Sequence, residues 1–239
     1  MRKTFYFILL AVLLCLTTLA HAGLLDDMLK GTSSSSKGES DDSTIASGLK
    51  EALSVGTQKA VDNVSRVDGY FGNQMIKILM PEKIQKVADV LREVGYQKEA
   101  DNFVLSMNRA AEKAAPKAMS FFADAIKDMT FEDARGILNG GDTSATEYFK
   151  RKTHDKIYDA FKPIISSSMD EVGVTRSYKE MMGKYESIPF MGKESVDLDH
   201  YVTNKAMDGL FYMVGQEEKK IRTDPAARVT DLLKNVFGR

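Results

Sequence analysis

Pro81-Glu-Lys-Ile84-Gln-Lys-Val87-Ala-Asp-Val-Leu91-Arg-Glu-Val94-Gly95 is the stretch on which the fold class turns. Ile84, Val87, Leu91 and Val94 recur every three or four residues, so one helical face is apolar and the rest charged. Proline suits the first helical turn, where a backbone N–H would have no partner, and glycine suits the stop. The same period appears upstream in Ile45, Leu49, Leu53, Gly56, Ala60 and Val64, with Gly69 and Gly72 beyond it. Downstream, Phe103, Val104, Met107, Ala110, Ala111 and Ala114 continue it as far as Pro116, which marks a break or a new start.

The remaining chain repeats this grammar. Phe121, Phe122, Ala125, Ile126 and Met129 form a stripe. Thr130-Phe-Glu-Asp133 and Ser144-Ala-Thr-Glu147 have the shape of capping boxes, in which a hydroxyl and a carboxylate satisfy free N–H groups. The second box opens a helix carrying Tyr148, Phe149, Ile157, Tyr158 and Phe161, which Pro163 is expected to interrupt; Gly173 ends the segment after that proline. A short helix is expected over residues 175–185, a loop around 189–192, and a longer helix bearing Leu198, Tyr201, Val202, Ala206, Leu210, Phe211 and Val214. Asp224-Pro225 opens a last stripe of Val229, Leu232, Leu233, Val236 and Phe237. No segment alternates long enough to demand a strand, and β-branched residues are scattered. The expectation is an all-α fold, one compact bundle of about eight to ten helices over residues 44–239.

Two segments precede that bundle. Arg2 and Lys3 lead into an apolar run over residues 5–16 and then Ala20-His-Ala22, the three parts of a cleaved secretory signal peptide over residues 1–22. The run is too short to span a bilayer, which takes about 20 apolar residues. Cys15 follows Leu14, where a lipoprotein cleavage site wants a small residue, so a lipid anchor is not expected. Cleavage after Ala22 would remove the single cysteine with the leader. Residues 23–43 read as a flexible linker: a short apolar piece over 24–29, with docking as its less favoured reading, then a Ser-rich run through Asp42.

Composition narrows the function classes. The 239 residues carry 33 basic and 34 acidic side chains, a balance that argues against general polyanion or nucleic-acid binding. With one cysteine there is no disulfide framework and no Cys-based metal cluster, and three histidines make no His-rich site. There is no nucleophile elbow, no H-E-x-x-H and no phosphate loop, and no cofactor is implied. The methionines, Met75, Met80 and Met107 among them, read first as filling of an irregular helical core and second as the lining of an adaptable groove.

Several stretches together resemble one family. They are residues 52–56 (Ala-Leu-Ser-Val-Gly), 76–81 (Ile-Lys-Ile-Leu-Met-Pro), 107–112 (Met-Asn-Arg-Ala-Ala-Glu) and 137–141 (Ile-Leu-Asn-Gly-Gly). The C-terminal part adds Asp197-Leu-Asp199-His200-Tyr-Val-Thr203, Asp208-Gly-Leu-Phe211, Glu217-Glu218 and Ile221-Arg222-Thr-Asp-Pro225. In these the chain resembles the bacterial "domain of unknown function 4197" family from about residue 45 to its end. The resemblance implies an exported, periplasmic or envelope protein of a Gram-negative bacterium, and it brings no catalytic residues. Some members of the family look like lipoproteins, a feature that Cys15 here does not share.

Three polar clusters are the candidate sites. Asp197, Asp199 and His200 could bind a divalent metal, but they lack the later ligands and turn glycine of a Ca²⁺ loop, and acidic residues at a helix start also serve as caps. Arg109 and Glu112 stand three apart and are expected to pair on one helix face; a buried arginine could alternatively recognise a carboxylate or phosphate. Glu217 and Glu218 could do acid–base chemistry if burial separates their pKa values, while Glu218 and Arg222, four apart, read as a surface pair. The expected function is non-enzymatic binding of an apolar ligand, a lipid or an envelope protein partner in a groove between helices. The alternative is an enzyme that uses Asp197, Asp199, Glu217 and Glu218 for metal-assisted or acid–base chemistry, and a structural envelope component is a third possibility.

Overall fold

The computed structural model describes residues 22–93, 95, 97–171, 173–187 and 196–224, with side chains from residue 43 onward except at 91, 94, 96, 99, 172, 174 and 177. The expected leader up to residue 21, the loop around 189–192 and the C-terminal stripe from Val229 to Phe237 lie outside the described residues. The chain divides into two units, Met1–Ile45 and Ala46–Arg239. In the first, the described part is helical backbone: helix α1 is assigned over Ala22–Ser65. It therefore covers the residues read as a Ser-rich linker.

In the second unit the order is the rest of α1, then α2 (Glu82–Glu93), α3 (Gln97–Ala114), a 3-10 turn (Ala115–Lys117), α4 (Ala118–Lys127), α5 (Phe131–Leu138), α6 (Ser144–Glu171), α7 (Val174–Glu186) and α8 (Leu198–Thr223). Every element with assigned secondary structure among the described residues is helical, as the 3.6-residue period requires. Pro116 sits in the 3-10 turn and separates α3 from α4, the break expected of it.

Helix α6 is the hub. It packs against α8 and α3 most extensively, and also against α4, α5 and α7; α7 in turn covers α3 and α2. The core between them is aromatic and methionine-rich. The Phe122 ring meets Phe149 edge-on at 5.1 Å and Phe211 at 6.1 Å, geometries that match the ring quadrupoles. Met80, Met107, Met129, Met169, Met181, Met182 and Met207 are buried there, as filling of the core requires.

Two local expectations are corrected. Pro163 does not interrupt its helix: α6 runs through it from Ser144 to Glu171. An interior proline costs about 3 kcal/mol through a lost hydrogen bond and a clash. Here Pro163 and Asp159, whose carbonyl loses the bond, are both exposed, while Ile157, Phe161 and Ile165 bury the opposite face. Nor does Ser144 act as an N-cap. It is the first helical residue, and its hydroxyl donates to Gly141 O at 3.0 Å. The free N–H groups that open α6 are met instead by the Glu218 carboxylate of α8. The other box forms as read: Thr130 Oγ1 accepts from Asp133 N at 3.1 Å and the Asp133 carboxylate accepts from Thr130 N at 3.1 Å.

Candidate functional site

The turn after α1 is built on Glu112 of α3. Its buried carboxylate accepts from Tyr70 N at 3.1 Å and Phe71 N at 3.2 Å through one oxygen, and from Arg109 at 2.6 Å through the other. Arg109 also donates to Asp68 at 2.7 Å. Burial works against the guanidinium charge, but the bonds to Glu112 and Asp68 hold its pKa above the ordinary arginine value. Asp68 has a φ of +64°, in the left-handed region. Gly69 comes next, and a Cβ there would come within 2.5 Å of Val64 O. Arg109 and Glu112 therefore pair as their spacing suggests, and together they fasten a turn. Tyr70 enters the core from this turn and donates its hydroxyl proton to Ala206 O at 2.6 Å. Burial, with the negative charges of Glu112 and Asp208, pushes its pKa well above the ordinary tyrosine range.

The chain then passes through a turn on Asn73, whose carbonyl accepts from Ile76 N at 3.1 Å and Lys77 N at 2.8 Å. Residues 77–81 have neither helix nor turn. Ile76, Ile78 and Met80 point inward and are buried, whereas Met75 is 68% and Leu79 60% exposed. Asn108 of α3 fastens this segment: its fully buried amide accepts from Ile78 N and donates to Ile78 O, each at 2.8 Å. From α8, the Tyr201 hydroxyl donates to Leu79 O at 3.0 Å.

Between this segment and α8 lies an open groove of about 440 Å³. Met75, Ile76, Ile78, Leu79, Met80 and Tyr212 supply its apolar surface; Tyr201, Lys205 and Asp208 supply polar groups, the last two paired at 3.7 Å. A second hollow of about 510 Å³ lies on the other side of the same segment, against Phe71, Gln85, Arg92 and Val104. Lys77, Leu79 and Met80 line both, so the segment is a ridge between two hollows. Sequence reasoning alone passes over this groove. Its available signals are the stretch Met75-Ile76-Lys77-Ile78-Leu79-Met80 before Pro81, apolar but for Lys77, and Gly209 inside a helix, a residue that often marks a close approach.

The C-terminal cluster holds helices together. Glu218 is buried and its carboxylate accepts from Ala145 N and Thr146 N, both at 2.9 Å, and from the Thr146 hydroxyl at 2.8 Å. An anion thus sits on the positive end of α6. Arg222 donates to Glu218 at 2.9 Å and to Ile137 O at the end of α5 at 2.7 Å. The expected surface pair is a largely buried one, because this turn of α8 is wedged between the end of α5 and the start of α6. Glu217 is also buried and accepts from Lys220 at 2.6 Å.

The other acidic candidates stand at the opposite end of α8. Asp197 is its N-cap and accepts from His200 N at 3.0 Å. Asp199 lies in the first turn, where its charge suits the helix dipole. The His200 ring meets the Tyr158 hydroxyl at 2.7 Å. Asp197 and Glu218 are separated by roughly 30 Å of helix at 1.5 Å per residue, so the two acidic groups do not converge on one substrate. Among the described residues no three His, Cys, Asp or Glu side chains gather as metal ligands. No helix of the described residues is long and apolar enough to cross a membrane.

No curated protein and no solved structure matches the chain. The model of the family described as "Protein of unknown function (DUF4197)" matches residues 39–238, a span that includes the Arg109–Glu112 turn clamp, the groove and the Glu218–Arg222 wedge, and the chain belongs to that family.

Proposed function

We propose that this protein is an exported, non-enzymatic binding protein of the bacterial periplasm that holds an apolar ligand or an apolar part of an envelope partner in the groove between residues 75–80 and α8. The observation that carries this reading is the exposure of Met75 and Leu79 on the rim of a hollow of about 440 Å³. That size falls in the range of about 300–1,000 Å³ usual for ligand sites. Large apolar side chains gathered at a concave surface lose hydration when covered, which favours an occupant. The residues named for the enzymatic alternative are engaged in holding the helices, which supports the non-enzymatic reading: Asp197 caps α8, Asp199 lies in its first turn, Glu217 pairs with Lys220, and Glu218 is spent on two backbone N–H groups and Arg222. The periplasmic address rests on the leader pattern of residues 1–22.

Titration with the neutral fluorescent probe N-phenyl-1-naphthylamine tests the binding reading. The expected result is a saturable signal that Leu79→Asp weakens on the order of tenfold or more, because a carboxylate would have to be desolvated. The exposed control Ser120→Asp on α4 leaves it unchanged. Absence of saturable binding, or equal effects of both variants, overturns the proposal. The mass of protein from a periplasmic extract tests the address: a chain beginning at Gly23 is expected, and a cytosolic pool that retains its leader contradicts it.

A further inference from the structure

Residues 77–80 behave as a strand that has no sheet. Inward and outward side chains alternate with the period of two that defines a strand. Successive backbone units of such a segment face opposite ways, so it has two hydrogen-bonding edges. One edge is filled by a side chain: Asn108 offers Ile78 one acceptor and one donor, as a residue on a neighbouring strand would. The other edge faces α8, a direction fixed by the bond from the Tyr201 hydroxyl to Leu79 O. The Lys77 carbonyl and the Leu79 N–H belong to this second edge. Among the described residues neither has a hydrogen-bond partner.

We propose that this free edge receives an extended peptide segment of another protein by strand addition, in the groove beside α8. The inference rests on the binding reading above and narrows the occupant to polypeptide. A lone N–H and a lone C=O, two residues apart on one edge, match an extended chain that donates one N–H and accepts with one C=O. A hydrocarbon chain offers neither. The partner carries apolar side chains at alternate positions, which cover Leu79 and Tyr212. The edge is short, because the Asn73 turn closes it on one side and Pro81, which has no N–H, on the other. Pairing over so few residues buries far less than the roughly 800 Å² per partner of a standard protein interface. That favours a tail or loop threaded into the groove over a second copy of this chain.

The test screens a displayed library of eight-residue segments with apolar residues at alternate positions against the full chain. Selected peptides are then synthesised with backbone N-methyl groups on one alternate set of amides or on the other. Methylation removes the donor and blocks pairing along one peptide edge only. The expected result is that one set loses affinity on the order of tenfold or more, the other set binds as before, and exchange of the Leu79 amide proton slows on binding. Leu79→Pro, which deletes the N–H, produces the same loss; should that variant misfold, the methylated peptides still decide the matter with the protein unaltered. Failure to select any peptide while N-phenyl-1-naphthylamine still binds overturns strand addition and leaves the groove reading standing. Failure of both overturns both. Equal losses from the two methylated sets, or protection of Leu79 by concentration-dependent self-association, also overturns the proposal.

Discussion

Asn108 holds Ile78 by both of its backbone groups, accepting from the N–H and donating to the carbonyl at 2.8 Å each. The same amide also donates to Val104 O at 2.7 Å, so both of its N–H hydrogens and its oxygen are engaged in a fully buried site. Asn108→Ala strands the Ile78 N–H and carbonyl together, and each buried group left without a partner costs about 1–3 kcal/mol. The expected loss of stability is about 2–4 kcal/mol by chemical denaturation. Asn108→Asp keeps the acceptor but turns a charge toward two carbonyls, so it is expected to harm more at neutral than at mildly acidic pH. Equal stability of either variant and the parent would show that the segment is held by its apolar side chains alone.

Gly209 sets the distance between α8 and the turn after α1. A Cβ there would come within 2.6 Å of the Tyr70 ring and 3.1 Å of Ile76 Cβ. Gly209→Ala is therefore expected to destabilise by about 1–3 kcal/mol through overpacking. Gly136 and Gly183 also lie in helices, but a Cβ at either meets nothing within 4 Å. Alanine at those two positions is expected to stabilise by up to about 1 kcal/mol. Thermal unfolding of the three variants separates crowding from propensity, and a gain at Gly209 would contradict the crowding.

The helices are legible in the sequence because their signals are local. Period, capping and breakers put Thr130 and Asp133 in one box and Pro116 at a break before either is seen in space. The groove is not, because in residues 75–80 both alternation phases are mostly apolar: Ile76, Ile78 and Met80 for the core, and Met75 and Leu79, with Lys77 between them, for the surface. A run that is mostly apolar on both phases does not announce a strand. Arg109 and Glu112 emerge as a pair from their spacing, but their targets, the Tyr70 and Phe71 amides, are about 40 residues away in sequence and carry no local mark. The same holds at Ser144, where a local box is expected and the remote Glu218 supplies the cap instead. Pairing rules within a helix see neighbours three and four apart, and these sites are made by contacts between helices.

Glu218 and Arg222 form a pair whose removal should be unequal to its worth. Glu218→Ala leaves two helix-starting N–H groups unmet and takes from Arg222 its carboxylate in a largely buried site. The expected loss is about 3–5 kcal/mol, the range for breaking a buried ion pair. Glu218→Gln keeps one acceptor oxygen for one of the two N–H groups, sets an NH2 donor against the other and loses the charge, and is expected to fall between parent and alanine. In a double-mutant cycle with Arg222→Ala, a coupling near zero would show that Glu218 acts only as a cap.

Alkaline unfolding should report the buried tyrosines. Burial, and after it the charges of Asp133 and Asp128 against the opposing Arg151, push the Tyr148 hydroxyl from 10.0 up to about 12. The folded chain therefore keeps a proton that the unfolded chain gives up above about pH 10. Its contribution to stability is complete below that pH and is lost as pH rises through about 12. Tyr70 acts in the same direction. The urea midpoint is thus expected to fall steadily from about pH 10 upward, with tyrosinate absorbance from these two residues appearing only as the chain unfolds. Tyr148→Phe loses the bond to Ala125 O, now 2.8 Å, and should be about 1 kcal/mol less stable at neutral pH. Its alkaline decline should nevertheless be shallower than that of the parent, since one proton no longer has to be released. Parallel declines in parent and variant would show that Tyr148 ionises without regard to folding.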